Sequence, residues 1–212
     1  MATSLTLEND SSLAQGYLKV NGSTAATLTT TGITGNLTGN VTGNVTGSLT
    51  AGGSITLATA QTASGTAVDF TGIPSWAKRI TVMFNGVSTS GTSIPEIRLG
   101  VSGTPEITGY SAAVGVILTA NNTTRLNSST SGFLLSYSNG STDSYSGSIV
   151  FTILNSSTNN WTCAGSLFDP LGLLTTTSGA KSLSGTLNMI RITTQNGTDT
   201  FDAGTINISF EG

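Results

Sequence analysis

The stretch "RITVMFNGV", from Arg79 to Val87, alternates apolar side chains with mostly polar ones. Successive side chains of a β-strand point to opposite faces, so Ile80, Val82 and Phe84 share one face. We therefore predict a half-buried strand that packs this face onto a core.

The same alternation recurs on both sides of this stretch. In "GTINISF", Ile206, Ile208 and Phe210 share a face, and runs rich in Gly, Asn and Ser separate the apolar segments like turns. The predicted strands are Ala67–Phe70, Arg79–Val87, Glu96–Val101, Val114–Thr119, Gly132–Tyr137, Gly147–Leu154, Trp161–Phe168, Ser182–Thr194 (which Gly185 would interrupt) and Gly204–Phe210. Short strands with such turns predict an all-β, antiparallel β-sandwich, most simply a jelly roll.

Two further segments carry specific expectations. In "TLNMIRITT", Leu187, Met189 and Arg191 are expected on the face opposite Ile190. The segment "IPSWAK", residues 73–78, is the one place where we expect a single helical turn.

A four-residue repeat, "GNLTGNVTGNVTGSLT", occupies Gly35 to Thr50. Its glycines and β-branched residues exclude an α-helix on propensity. As a strand it sorts into one face of Asn, Ser and Thr and one face that alternates glycine with the aliphatic residues Leu37, Val41, Val45 and Leu49.

A lone strand leaves its backbone hydrogen-bonding groups unpaired, and nothing nearby in the chain covers its aliphatic ridge. We therefore expect three identical chains to wind around one another, with these four aliphatic residues at the trimer axis. A flexible Gly/Thr linker and tight Gly-Asn turns stacked within one chain remain alternatives. The predicted organisation is an N-terminal attachment segment (1–31), a repeat shaft (32–56) and a β-sandwich tip domain (57–212).

The composition argues against several classes of function. Charged residues make up only 8% of the chain, and the net charge is −3. The seven basic residues are scattered, with Lys78 and Arg79 as the one adjacent pair, so we expect neither nucleic-acid binding nor membrane insertion. With no histidine and one cysteine, Cys163, the usual general base and the usual zinc ligands are missing. We predict no catalytic residues, no metal and no cofactor.

Two weaker patterns in the sequence point the other way. Glycoside hydrolysis needs two carboxylates across a cleft, and Glu96 with Glu106, or Asp143 with Asp169, could form such a pair. Each is more simply a solvated loop charge. The loop "NGTDTFDAG", residues 196–204, has the oxygen ligands of a calcium site but is more simply a hairpin turn.

The aromatic residues divide by their surroundings. Tyr137 and Trp161 lie in strand patterns and are expected to pack, as is Cys163. Trp76 is expected to plug the core over a sheet edge. Tyr110 and Tyr145 lie beside turn-rich segments and are expected to be exposed.

The chain resembles fibre and appendage proteins of tailed bacteriophages. The phrases that carry this resemblance are "TGNVTGNVTG", "IPSWAKRITVMFNGVSTSGTS" and, most specifically, "LNMIRITTQNGTDTFDAGTINISFEG". The resemblance covers most of residues 32–212. It implies a homotrimeric virion protein, assembled in the host cytoplasm and held to other virion proteins through its N-terminal segment.

The resemblance implies a structural, non-enzymatic role, most specifically a tail-associated fibre that attaches the virion to the bacterial surface. A head fibre or capsid decoration protein is an alternative, and a small polysaccharide-degrading tailspike is a second one. For a tip that binds a host surface glycan, the loops between strands supply the contacts. The candidate receptor-binding residues are Tyr110, Asn121, Asn122, Arg125, Asp143 and Tyr145.

Overall fold

The computed structural model describes residues 5–10, 15–20, 23–29, 32–34, 55–118 and 123–212, the first four ranges through their strands alone. Contacts between Cα atoms divide the chain into two units, Met1–Gly47 and Ser48–Gly212. The repeat, with Leu37, Val41, Val45 and Leu49, lies outside the described residues. The shaft and the bounds of the three predicted segments therefore stay predictions.

The first unit contains an antiparallel sheet in which each strand pairs with the next along the chain. Its strands are β1 (Leu5–Asp10), β2 (Gln15–Val20), β3 (Ser23–Thr29) and β4 (Gly32–Thr34). The alternation of "YLKV", residues 17–20, fits its place in β2. Val20 at its end pairs with Ser23 at the start of β3.

The second unit is built from strands throughout its described residues. They are β5 (Thr56–Leu57), β6 (Gln61–Thr62), β7 (Ala67–Thr71), β8 (Arg79–Thr89), β9 (Pro95–Val101), β10 (Thr104–Pro105), β11 (Tyr110–Leu118), β12 (Thr123–Ser129), β13 (Phe133–Leu134), β14 (Tyr145–Asn155), β15 (Asn160–Asp169), β16 (Leu173–Ser182), β17 (Leu187–Thr194) and β18 (Phe201–Glu211).

These strands form two antiparallel sheets. The larger sheet has the order β12-β11-β16-β15-β14-β8-β18-β5, with β6 also pairing with β18. The smaller sheet has the order β10-β9-β17-β7, with β13 pairing with β9. The all-β prediction is confirmed for the described residues.

One cluster of buried side chains draws on both sheets. Ile80, Val82 and Phe84 of β8 point into it, as their alternation predicted. The smaller sheet contributes residues such as Ile97 and Ile192 to the same cluster. Both sheets therefore contribute to one large hydrophobic cluster, and Val114, Val116 and Leu134 form a second, smaller one.

Strand β17 departs from the predicted alternation. Its pairing with β9 shifts register between Leu187 and Met189, which marks a bulge or irregularity. Leu187, Ile190 and Ile192 consequently belong to the core cluster, whereas Met189 is buried outside it. The expectation that Leu187 and Met189 share a face is wrong, because the irregularity changes the two-residue period at this point.

Five strands of the second unit lie outside the predicted ones, and one helical turn was wrongly expected. The five strands are β12, β16 and the two-residue strands β5, β6 and β10. Among residues 73–78 the structure has a turn instead of a helix, closed by a hydrogen bond of 3.0 Å from the Ala77 N–H to the Pro74 carbonyl. The proline at the start of this segment suits such a turn.

The second unit has two ends, which we name by the strands that meet there. At the near end, Arg79 of β8 pairs with Glu211 of β18, and the chain enters at Ile55 beside them. At the far end, Thr89 of β8 pairs with Phe201 of β18. The far-end loops are residues 90–94, 138–144, 169–172 and 195–200.

Candidate functional site

Tyr145 begins β14 at the far end, but its ring is fully buried, with 0% exposure. Its hydroxyl donates a hydrogen bond of 3.0 Å to Oδ1 of Asn139, whose amide in turn donates to Thr89 Oγ1 at 2.9 Å. Burial raises the pKa of the Tyr145 hydroxyl above its usual range. The expected exposure of this side chain is wrong. Tyr145 lies beneath the far-end loops and holds Asn139 of one of them through its hydroxyl.

Tyr110 lies at the near end, at the start of β11, and is also buried. Its hydroxyl accepts a hydrogen bond of 2.8 Å from the Leu99 N–H and donates one of 2.9 Å to the Glu106 carbonyl. Its ring meets Phe133 edge-on at 5.2 Å. The expected exposure is wrong here too, and the structure does not bring the two tyrosines together.

The remaining candidate receptor residues have mixed outcomes. Asn121 and Asn122 lie outside the described residues. Arg125 is exposed on β12, with its guanidinium carbon 5.5 Å from the centre of the Tyr137 ring. Asp143 is half-buried and accepts a hydrogen bond of 2.8 Å from the Gly140 N–H. Of the candidates described, only these two reach solvent.

Asp143 acts electrostatically on the carboxylate of Asp169 at the far end. Burial raises the pKa of Asp169, and the negative charge of Asp143 raises it further. Hydrogen bonds from the N–H groups of Leu171 (2.8 Å) and Ser144 (3.2 Å) to the two Asp169 oxygens act in the opposite direction. Asp169 has no exposed surface, so the expectation of a solvated loop charge is wrong for it.

The other carboxylate pair is divided between two separate networks. Glu96 is fully buried, and its oxygens accept hydrogen bonds from Arg98 at 2.6 Å and Ser131 at 3.1 Å. Glu106 forms an ion pair with Lys181 and accepts a hydrogen bond of 2.8 Å from the Ser184 N–H. Neither is a solvated loop charge, and both join segments of the chain to one another.

In the loop that resembled a calcium site, the Asp199 carboxylate accepts hydrogen bonds from two different segments of the chain. One carboxylate oxygen accepts from the Ser93 N–H and the other from the Asn196 amide, each at 2.8 Å. A turn is present here, closed by the Gly197 N–H on the Thr194 carbonyl at 3.0 Å. The predicted hairpin is wrong, because the flanking strands β17 and β18 belong to different sheets. Among the residues that the structure describes, no three His, Cys, Asp or Glu side chains are placed to hold a metal ion.

A shallow pocket at the near end was not foreseen. It has a volume of about 400 Å³ and is lined by Trp76, Ala77, Ile153, Ser156 and Gly212, together with Ser75 and Lys78. Trp76 is 40% exposed and meets Phe210 edge-on at 5.7 Å, so the expectation that it plugs the core is only half right. Pro74 and the turn that follows it were the signal in the sequence for an exposed Trp76.

The two ends therefore differ in chemistry. The near end exposes large apolar side chains, among them Ile55, Trp76 and Leu154. The far-end loops carry Asp143, Asp169 and Asp199, and their sequences contain no Lys or Arg. A negatively charged partner would be repelled from the far end, whereas an uncharged polar partner would meet many hydroxyl, amide and main-chain groups.

The described residues contain no helix long and apolar enough to cross a membrane. In comparisons with known proteins, no protein-family model, no curated protein and no solved structure matches this chain. Its function is therefore inferred from its own residues.

Proposed function

We propose that this chain is a structural fibre protein of a tailed-bacteriophage virion, and specifically a tail-associated fibre that attaches the particle to the bacterial surface. The observation that carries the proposal is the aliphatic-glycine register of Gly35–Thr50, followed in the same chain by a unit of two antiparallel sheets. In this proposal the repeat forms a thin homotrimeric shaft, and the two sheets form a jelly-roll-like β-sandwich tip. The N-terminal segment holds the fibre to other virion proteins.

The hydrogen bonds that the carboxylates make within the chain support a non-enzymatic role. Glu96 and Asp169 have no exposed surface, and their oxygens are engaged by donors of the same chain. Glu106 and Asp199 hold neighbouring loops through backbone N–H groups. Carboxylates committed to internal hydrogen bonds are unavailable as general acid and nucleophile without first breaking those bonds.

Host contact belongs at the far-end loops, because the chain enters the unit at the opposite end. Their exposed residues are small and polar, for example Ser138, Thr142 and Thr198, with Leu171 as an exposed apolar side chain. The local negative charge favours an uncharged surface glycan over an anionic one. Each contact would be weak, and three copies on one shaft would raise the avidity.

Electron microscopy of particles that carry the gold-labelled protein tests the location. Label at the tail supports the proposal, whereas label over the capsid supports a head fibre or decoration protein. Release of reducing ends from host polysaccharide by the purified protein would support the tailspike alternative and overturn the non-enzymatic role.

Competition with phage adsorption tests the contact surface. Purified protein should reduce adsorption, and Thr142→Trp at the far end should abolish this competition because the indole blocks the loops. Thr71→Trp on an exposed position of the smaller sheet is the matched control and should compete as well as the unmodified protein. Equal competition by both variants would place host contact elsewhere on the chain.

A further inference from the structure

Four strands of the larger sheet, β11, β14, β15 and β16, share an outward surface without charged residues. The alternation of β11, β14, β15 and β16 turns one set of side chains inward and the other set outward. We define the neutral face as the outward positions within residues 111–117, 146–152, 162–168 and 174–180. These positions carry Ser, Thr, Ala, Gly and apolar residues, and none of them is charged.

Large apolar side chains line up across this face. Ile117 of β11 lies opposite Leu174 of β16, and Leu174 lies opposite Phe168 of β15. The exposed fractions of the three side chains are 45%, 43% and 50%. On the neighbouring strand β12, Leu126 is 78% exposed and lies opposite Gly115. A row of this kind is costly to leave in water and is typical of a contact surface.

The outward face of the smaller sheet has the opposite character. Asp69 of β7 and Arg191 of β17 form a two-point ion pair at 2.6 and 2.7 Å. Arg98 of β9 lies opposite Arg191 and pairs with Glu96. The smaller sheet thus carries charged pairs on its outward face, whereas on the larger sheet outward charges such as Arg79 and Glu211 lie on β8 and β18, outside the neutral face. An open sheet face normally carries charge, which keeps it soluble and prevents association.

The neutral face is large enough to form part of a protein–protein contact. Four strands at about 4.8 Å spacing and about seven residues at about 3.4 Å each give an area on the order of 450 Å². A typical stable interface buries about 800 Å² on each partner. The small outward residues Ala113, Ala164 and Thr176 leave the surface flat enough for another sheet to approach closely.

We propose that the neutral face packs against neighbouring copies of this same chain. A second copy fits because two uncharged faces meet without like-charge repulsion and without stranding a buried ion. The inference deepens the proposed function, since it assigns the contact between tips in the expected homotrimer. It rests on the strand register and on the absence of charge from the neutral face.

Single-cysteine labelling of the full-length protein tests the proposal. The native Cys163 is buried, and burial raises the pKa of its thiol, so it contributes little background. Thr176→Cys places a thiol on the neutral face, and Thr71→Cys places one on an exposed position of the smaller sheet. The measurement is the rate of maleimide labelling under native conditions and again after denaturation, with mass photometry of the same samples.

We expect Thr176→Cys to label at least about tenfold more slowly than Thr71→Cys when native, because an interfacial thiol reacts only when the contact opens. After denaturation the two rates should be equal. Adding Phe168→Lys to Thr176→Cys should restore fast labelling, because it places a charge in the dry contact.

The possible negative results distinguish failure of this inference from failure of the proposed function. Equal native rates in a protein that is oligomeric would overturn this inference and leave the shaft and the proposed function standing. A protein that is monomeric throughout would overturn both the inference and the fibre architecture. A protected face in an oligomer that does not locate to virions would support the inference and overturn the proposed function.

Discussion

Asp199 joins the two far-end loops that follow β8 and β17. Hydrogen bonds from the Asn196 amide and from the Ser93 N–H lower the pKa of its carboxyl below the usual value. A group whose folded-state pKa is depressed stabilises the protein above its unfolded pKa. This contribution is lost as the pH falls through the lower, folded-state pKa.

Asp199→Asn should therefore destabilise the second unit at neutral pH, and the difference from the unmodified protein should shrink towards zero in acid. The measurement is the urea midpoint of unfolding at a series of pH values. Asn196→Ala removes the main donor and also the hydrogen bonds that its amide oxygen accepts, so part of its destabilisation should persist in acid. A difference that is constant with pH would contradict the assigned role of this carboxylate.

Tyr110 and Tyr145 have turn-rich neighbours that predict exposure, but both side chains are buried and should matter for stability. Tyr145→Ala should destabilise the domain by about 3 to 5 kcal/mol, because it leaves a cavity in a packed core. Tyr110→Ala should behave similarly, since its ring and hydroxyl are both engaged. Trp161→Ala belongs to the same class, because this indole is also buried.

Thermal unfolding of the purified variants measures this prediction. Tyr137→Ala is the matched control, since that ring is only half-buried and should cost less. Native-like melting of both Tyr110→Ala and Tyr145→Ala would contradict the packing described for them.

At the scale of strands, Gly165 of β15 shows how closely the larger sheet is packed. A Cβ atom at this position would lie 2.4 Å from the Ser148 carbonyl oxygen and 2.5 Å from the Ile149 Cα. Backbone atoms of a central strand cannot move aside cheaply. Gly115 of β11 is different, because its nearest neighbours would be side-chain atoms of Leu126 and Thr176 at 3.4 Å.

Gly165→Ala should therefore cost about 1 to 3 kcal/mol, as is usual for overpacking. Gly115→Ala should stay within about 0.5 kcal/mol of the unmodified protein. Chemical denaturation of the two variants side by side makes the comparison. Equal costs would mean that β14 and β15 approach one another less closely than their register indicates.

The strands that were found from the sequence are those whose inward residues are aliphatic. Ile80 and Val82 of β8, and Ile206 and Ile208 of β18, give a period that is visible without a structure. Strand β16 was missed because some of its buried inward positions are polar. Thr177, for example, donates its hydroxyl to the Leu134 carbonyl, so polarity no longer distinguishes its two faces.

The candidate site was less accessible to sequence reasoning than the fold. Turn-like neighbours placed Tyr110 and Tyr145 correctly beside loops, but each is the first residue of a strand and points inward. Burial at a strand end depends on which loops fold over it. That information lies in contacts between distant residues, such as Tyr145 with Asn139 and Asn139 with Thr89.

At the scale of the whole molecule, the repeat makes the prediction with the largest effect. Val41→Asp and Val45→Asp should each prevent assembly, because three unpaired carboxylates would meet near one dry axis. Thr42→Asp, on the opposite face of the expected strand, should assemble normally. Mass photometry of the full chain at micromolar concentration distinguishes trimer from monomer. Equal behaviour of the Val and Thr variants would favour a flexible linker.

The first strands of the second unit also determine how it would carry tension. From Ile55 the chain runs along β18, and the bonds that hold it include Ala58 N–H to Ile208 (2.9 Å), Ala63 N–H to Gly204 (3.0 Å) and Phe201 N–H to Gly65 (2.8 Å). Bonds of an antiparallel ladder lie across the strand direction. A pull along this segment therefore loads them together in shear instead of opening them one by one. The same short pairings that close the edge of the sheet would thus act as its mechanical anchor.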